Sequence, residues 1–522
     1  MKKILIIFNV LYWISFISPS DAQTVPRAGG TLIWGRGGDS LSLDPARTDD
    51  GESAKVNANI FEGLVRFQGD TTEVEPALAS SWEQSADGKE WIFRLRRGVF
   101  FHDGTPFNAA AVVFSFLRQI DPGHPFYRKD FANSGTFQYV KSVQAVDEYS
   151  VKITLEKLFT PFLYNLAEPT AALIISPAAM KKWGDDAEKH PVGTGVFQFE
   201  SWIPGDRIIL TKNKKYWGTP PYIDGLVFKT IINNKNRLLE LKTAGIHGMD
   251  GIDPEAVKKI ETDRNLLLET ITGLNVGYLA MNTEKPPFDN LKVRLAVNHA
   301  INKQNLVKLL YQGLALPAKN PIPPVITEYY NNAIQDYEYD LARAKSLLKD
   351  AGHENGFQTR LWTMPVPRPY MPQPDKIAKA IKGNLAAVGI DVQIVTPDWA
   401  AYIQETANGE HDMCLSGAVA GNGDPYNFLY ILFDKDNAVK PRAENLAFFK
   451  NEKLHEILIG AQHISEKSER IKLYHKAQEI IHDQSPWVPL AHAQQIIAHR
   501  KEVHSIVQHP TGFIRFDKAW IE

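Results

Sequence analysis

Between Leu361 and Leu429 the chain carries two loops of opposite character, and together they set the kind of surface the fold must present. The first, LWTMPVPRPYMPQP (Leu361–Pro374), follows a strand-like run and strings prolines around Met364, Arg368 and Tyr370. Proline locks φ and keeps the residue before it out of helix, so Arg368 rides on a stiff, extended loop. The second, LSGAVAGNGDPYNFL (Leu415–Leu429), reads as a small-residue strand over Met413–Val419 that breaks into Ala420-Gly421-Asn422-Gly423-Asp424-Pro425. Glycine there permits a positive φ and lets a ligand approach the backbone closely. One loop offers a guanidinium, the other backbone groups and a carboxylate. These are the parts of a binding cleft, with no group set to break a bond.

The amino terminus points to a compartment. Met1-Lys2-Lys3 gives a positive start, Ile4–Ile17 is apolar apart from Asn9 and Ser15, and Ser20-Asp21-Ala22 places small residues where a signal peptidase reads. Residues 1–22 are therefore expected to be a cleavable secretory signal. Pro19 and Asp21 end the apolar run short of the ~20 residues a spanning helix needs. No cysteine lies near the cut, which argues against a lipid anchor there, and a periplasmic location is expected. Cys414 is the only cysteine, so no intramolecular disulfide forms. The 522 residues suffice for two or three domains that each bury a core. With 58 Lys+Arg against 60 Asp+Glu there is no general attraction to nucleic acid or anionic lipid, so charge recognition must be local.

Strands and helices alternate along the chain. Gly30–Trp34 and Leu64–Phe67 read as short strands, Ser85-Ala86-Asp87-Gly88 as a turn before a strand at Trp91–Leu95, and Asn108 as the N-cap of a helix to Leu117. Ser150–Leu155 alternates as a strand. Leu291–Tyr311 has helical spacing with a break near Asn302, and Asp340–Ala351 is a helix ended by Gly352. Asp375–Val388 predicts a helix, Ile390–Val395 a strand, and Asp398 the cap of a helix over Trp399–Asn408. This order implies an α/β protein with a largely covered sheet.

Five segments in order carry a resemblance: LASSWEQSADGKEWIFRLRRGVFFHDGTPFNA, PVGTGVFQFESW (Pro191–Trp202), TGLNVGYLAMNTEKPPFDNLKVRLAVNHAIN (Thr272–Asn302), the MPVPRPY loop, and GNGDPYNFL. The chain resembles the periplasmic solute-binding proteins of peptide ABC importers, in the dipeptide-binding branch of family 5. The resemblance implies a two-lobed periplasmic binding protein fold of type II, closing about a hinge, with an extra inserted domain. Lobe I would combine 27–58, 196–275 and 490–522, the inserted domain 59–195, and lobe II 276–489, with hinge strands near Gly273–Tyr278 and Trp487–Ala491. It implies a monomer with no cofactor and no metal that captures a short peptide and docks on an inner-membrane permease pair served by cytoplasmic ATPases.

In that family the arginine of the MPVxRPY loop holds the ligand's carboxylate, which maps to Arg368. Relatives read roughly GWTGDNGDPDNF in the second loop, where the aspartate before Asn-Gly meets the ligand's ammonium. Here that aspartate is Gly421 and the tryptophan is Ala418, so a roomier and less acidic pocket is expected, for a ligand other than an ordinary free-amino dipeptide. The ligand-binding set implied is Arg368, Gly421, Asn422, Asp424, Met364, Ala418, Trp362 and Tyr370, with Asp424 also read as a turn-former before Pro425.

Two rival functions are spelled in part. Gly38-Asp39-Ser40-Leu41 matches the GDSL signature of an esterase family and Asp350-Ala351-Gly352-His353 its Asp-x-x-His partner, but the latter lies mid-chain at a helix end. None of the 15 histidines forms HxxxH or HxH, and His411 reads as a solvated residue in a polar turn. Haem is the stronger alternative ligand, its propionates at Arg368 and Tyr426 facing the pocket.

Overall fold

In the computed structural model, which describes residues 25–522 apart from 48–49, 130, 132–133 and 171, a 12-stranded mixed sheet runs through the molecule. The expected signal at residues 1–22 lies outside the described residues. The strand order is Ile390–Val395, Phe357–Trp362, Met413–Val419, Asn275–Met281, Trp487–Arg500, Gly248–Asp250, Thr31–Arg36, Gly225–Thr230, Arg207–Lys212 and Phe197–Ile203. Leu266–Thr272 and Ala315–Pro317 also pair with Trp487–Arg500. A separate 4-stranded antiparallel sheet holds Ala79–Gln84, Glu90–Leu95, Ser150–Leu155 and Val140–Asp147.

The 14-residue strand Trp487–Arg500 is the seam. Its first part pairs with Gly277–Ala280 and its second with Leu266–Thr272, so one strand belongs to both halves of the sheet. The neighbouring chain crosses between the halves at Gly273–Leu274. There Asn275 clamps the seam: its Nδ2 donates to Ala493 O at 2.8 Å and its Oδ1 accepts from Ala493 N at 2.8 Å. Gly273 must be glycine, because a Cβ would lie 2.7 Å from Ala493 O and 2.2 Å from Asn275 Nδ2. Tyr278 stacks on Trp487 with centroids 3.3 Å apart, burying both rings beside the crossing.

Separate cores flank this seam, and the protein is a two-lobed α/β fold. One core gathers apolar side chains from Leu274 to Ala493, around the helices Leu291–Ala300, Pro374–Ala386 and Lys467–Gln484. A second lies under the 4-stranded sheet, from Leu64 to Ile174. A third joins Leu32, Trp34 and Phe228 to Ile497 and Phe516, and also takes in Leu173, Ile175, Met180 and Ala187.

Local chemistry accounts for the element ends. Asn108, Asn302, Asp340 and Asp398 each accept a backbone N–H as N-caps, and Asn302 separates the helices Leu291–Ala300 and Lys303–Leu310. Gly352 follows the helix Leu341–Asp350 at φ 83°. His411 differs from its expected exposure: it is fully buried, its Nε2 2.8 Å from Leu446 O. Its neighbour Glu410 is exposed and Asp412 pairs with Arg360, while the imidazole turns into the core.

Burial pushes four histidines, His102, His411, His492 and His509, down to about 4. Each places a ring nitrogen against a carbonyl oxygen, which a neutral imidazole satisfies as donor. Their folded-state values lie below the 6.5 of an unfolded histidine, so between 6.5 and about 4 the unfolded chain binds more protons. Stability from these sites is full above 6.5 and is lost as pH falls towards 4. The melting midpoint should decline steadily across that window; a flat profile would contradict the assignment of neutral buried imidazoles.

Candidate functional site

The strand Phe357–Trp362 delivers the arginine loop to the carboxyl edge of the sheet, where the strand Met413–Val419 also ends. Within the loop, Arg368 and Met371 exchange backbone hydrogen bonds of 3.1 and 2.9 Å, which pins the turn. The Arg368 guanidinium carbon lies 4.0 Å from the centre of the Trp399 ring at the start of the helix Trp399–Ala407. Stacking of this kind orients a guanidinium without neutralising it. No carboxylate pairs with Arg368 among the described residues. Its charge is presented, not spent.

Tyr370 shows how the loop is seated. Gly277 and Gly417 are cross-strand partners, and together they leave a bare patch on the sheet. A Cβ on Gly417 would lie 2.2 Å from the Tyr370 ring, and one on Gly277 would lie 2.6 Å from the Tyr370 carbonyl. That carbonyl accepts from the Tyr311 hydroxyl at 2.9 Å, and the Tyr370 hydroxyl meets the Met364 sulfur at 3.8 Å. Burial raises the Tyr370 hydroxyl above its ordinary pKa, and the nearby Arg368 charge opposes this. Trp362 and Met364 are 5 % and 1 % exposed, so both support the loop from the core. Ala418 is half-buried against the same core.

In the glycine loop the structure departs from the sequence reading. Neither Gly421 nor Gly423 adopts a positive φ. Each is small because a side chain from the segment before residue 170 fills the space of its missing Cβ. A Cβ on Gly423 would lie 2.4 Å from Thr72 Cβ, and one on Gly421 would lie 2.7 Å from Glu168 Oε1. Asn422 is fully buried with all its hydrogen-bonding capacity in use. Its Nδ2 donates to Glu168 Oε1 at 2.6 Å and Asn165 Oδ1 at 3.0 Å; its Oδ1 accepts from Asp424 N and Asn427 Nδ2.

Glu168 brings a carboxyl to the place where residue 421 has none. Burial pushes it up to about 7, with the Asn422 hydrogen bond pulling the other way. It lies 254 residues from Asn422 in sequence, within an unremarkable Ala-Glu-Pro, so only the fold reveals it. Glu168 also lines a cavity of about 90 Å³ shared with Glu62, Arg66 and Arg515.

Asp424 is engaged elsewhere. It is 1 % exposed and forms a two-pronged pair with buried Arg470, at 2.7 and 2.8 Å, while its Oδ1 also accepts from Tyr426 N. Tyr426 stacks on Tyr430 and meets Phe159 edge-on, which places it in a contact between cores. The esterase signature does not assemble. Ser40 is 5 % exposed and its Oγ is held by Arg36, whereas Asp350 and His353 close a helix of the other lobe, His353 against Phe357.

Residues 73–440 match the model of bacterial extracellular solute-binding proteins, family 5. The chain belongs to that family. It is 36% identical to heme-binding protein A of Haemophilus influenzae, over 96% of this chain and 94% of that one. It is 35% identical to the dipeptide-binding protein of Escherichia coli, over 94% and 95%. Among solved structures, the periplasmic binding protein DppA of Helicobacter pylori with peptide STSA superposes with a TM-score of 0.81 at 40% identity, covering 95% of this chain and 99% of that one. HbpA2 of Haemophilus parasuis gives 0.86 at 33% identity, over 94% and 100%. The family 5 chain is thus the substrate-binding component of an ABC importer, and its relatives are solute-binding proteins, not enzymes. Members of the family are periplasmic. No helix among the described residues is long and apolar enough to cross a membrane.

The buried Asp424–Arg470 pair tests the division of labour in the loop. Asp424→Ala leaves Arg470 buried without its partner and should cost about 3–5 kcal/mol of folding stability. Urea unfolding measures this; a loss under about 1 kcal/mol would return Asp424 to the candidate ligand contacts.

Proposed function

We propose that this family 5 protein captures short peptides between its two lobes and hands them to an inner-membrane permease pair driven by cytoplasmic ATPases. The observation that carries the reading is Arg368: a stacked guanidinium on a pinned loop with no acidic partner among the described residues. In a closed, dry cleft such a charge needs an anion, and a peptide's terminal carboxylate accepts two parallel hydrogen bonds from it. The names of relatives, a dipeptide-binding protein and a DppA structure holding a peptide, support the same ligand class. Secretion with removal of residues 1–22, and the division into 27–58 with 196–275 and 490–522, 59–195, and 276–489, belong to this proposal. The separate apolar cores support the division, although Leu173, Ile175, Met180 and Ala187 pack with the first lobe's core. Apolar Val366 and Val419, 39% and 42% exposed, supply wall surface on the second lobe.

Calorimetry with di- and tripeptides should show saturable binding, and Arg368→Ala should weaken it by about 2–5 kcal/mol. Amidating the peptide's carboxyl end should weaken binding to the unmodified protein and leave the variant indifferent. Equal affinity in protein and variant would place the anchor elsewhere. A second reading, haem binding, rests on the 36% identity to heme-binding protein A, with Arg368 meeting a propionate. Titration with haemin should then give a saturable Soret shift that short peptides compete away; its absence removes that reading.

A further inference from the structure

Glu168 is the C-cap residue of the short helix Phe162–Ala167, in the part of the chain whose core lies under the 4-stranded sheet. Its carboxyl occupies the space a side chain at position 421 would need: a Gly421 Cβ would lie 2.7 Å from Glu168 Cδ and Oε1 and 3.0 Å from Oε2. Oε1 is fixed by Asn422 at 2.6 Å, and Asn422 is itself held by Asn165 and Asn427. Oε2 accepts no hydrogen bond from the described residues, nor is it among the sealed polar atoms without partners. Desolvation and the Asn422 hydrogen bond are the two influences on its proton, and no basic side chain is among them. A carboxylate withdrawn from water without a cation is costly unless something supplies the opposite charge.

The complementary situation holds on the arginine loop, where Arg368 has no acidic partner among the described residues. Tyr370, which the arginine loop carries, covers Gly417, and Glu168 covers Gly421, four residues further along the same strand end. That stretch spans at most about 14 Å. The arginine loop therefore carries a cation with no acidic partner among the described residues, and an acid from the inserted domain meets the glycine loop beside it.

We propose that Glu168, reaching across from the inserted domain into the gap left by Gly421, is the acidic anchor for the cationic amino end of the ligand. This rests on the peptide reading of Arg368 and adds a specificity: the ligand carries a free ammonium, and the inserted domain contributes to its recognition. Asn422 is then a positioning residue that leaves the second carboxylate oxygen facing the ligand.

The test uses the full mature chain freed of ligand, the dipeptide Ala-Phe and its N-acetyl form, by calorimetry at about pH 7.5, where the peptide amine and Glu168 are mostly charged. The unmodified protein should prefer the free-amino peptide. Glu168→Gln keeps an acceptor for Asn422, so its melting transition should stay in place. Its affinity for Ala-Phe should fall by roughly tenfold or more while that for N-acetyl-Ala-Phe is unchanged. Glu168→Ala combined with Gly421→Asp, which moves the carboxylate onto the loop, should restore the preference. Undiminished binding of Ala-Phe by Glu168→Gln, or an equal loss for both peptides, overturns the role of Glu168 and leaves the peptide reading standing. Failure of the unmodified protein to bind either peptide overturns the peptide reading and this inference together.

Discussion

The strand Trp487–Arg500 carries the architecture, because it is hydrogen-bonded into both halves of the sheet and cannot move with one alone. Asn275 holds it there with a pair of 2.8 Å bonds to Ala493, and His492 adds a third contact to the carbonyl of Asn275. Any closure of the lobes must therefore flex at Gly273–Leu274 and at the seam residues beside it. The same geometry explains why Gly273 has no side chain: the crossing strands come too close for one. A motion confined to two adjacent crossings is a hinge, and it would carry the other lobe against the loops at these strand ends.

Those loops are arranged by steric subtraction as much as by attraction. Gly277 and Gly417 leave a flat patch on which Tyr370 is laid, two residues after Arg368. Gly421 and Gly423 leave gaps that Glu168 and Thr72 fill from another part of the chain. Glycine acts here through the absence of a Cβ, since neither loop glycine needs a left-handed backbone. The charged groups divide in the same way. Asp424 and Arg470 satisfy one another in the interior, whereas Arg368 has no opposite charge among the described residues. A buried pair fixes structure, and an unpaired charge at an opening invites a ligand.

Much of this was legible in the chain itself. The helix caps Asn108, Asn302, Asp340 and Asp398 act over one turn, so their chemistry could be read locally. The strand Met413–Val419 and the stiff arginine loop follow from small residues and prolines within ten positions of each other. His411 was misread because its polar neighbours suggested a solvated turn, and only packing against Phe448 and Leu446 decides which way the ring points. Trp362 and Met364 shortly precede Arg368 in sequence yet are buried, since alternate and loop-entry positions face the core. Glu168 was invisible for a plainer reason: nothing in its own surroundings marks it, and its partner is 254 residues away.

The sequence by itself determined the α/β alternation, the family, the rigid loop that bears Arg368, and the missing side chain at residue 421. Those depend on short-range propensity or on ordered motifs that survive without coordinates. Tertiary structure alone decided which charges are satisfied. It buried Asp424 against Arg470, stacked Arg368 on Trp399 with no acidic partner among the described residues, and placed the Glu168 carboxyl where Gly421 has nothing. Charge compensation acts over a few ångströms in space with no regard for distance along the chain, so it is settled only when the lobes and the inserted domain have come together.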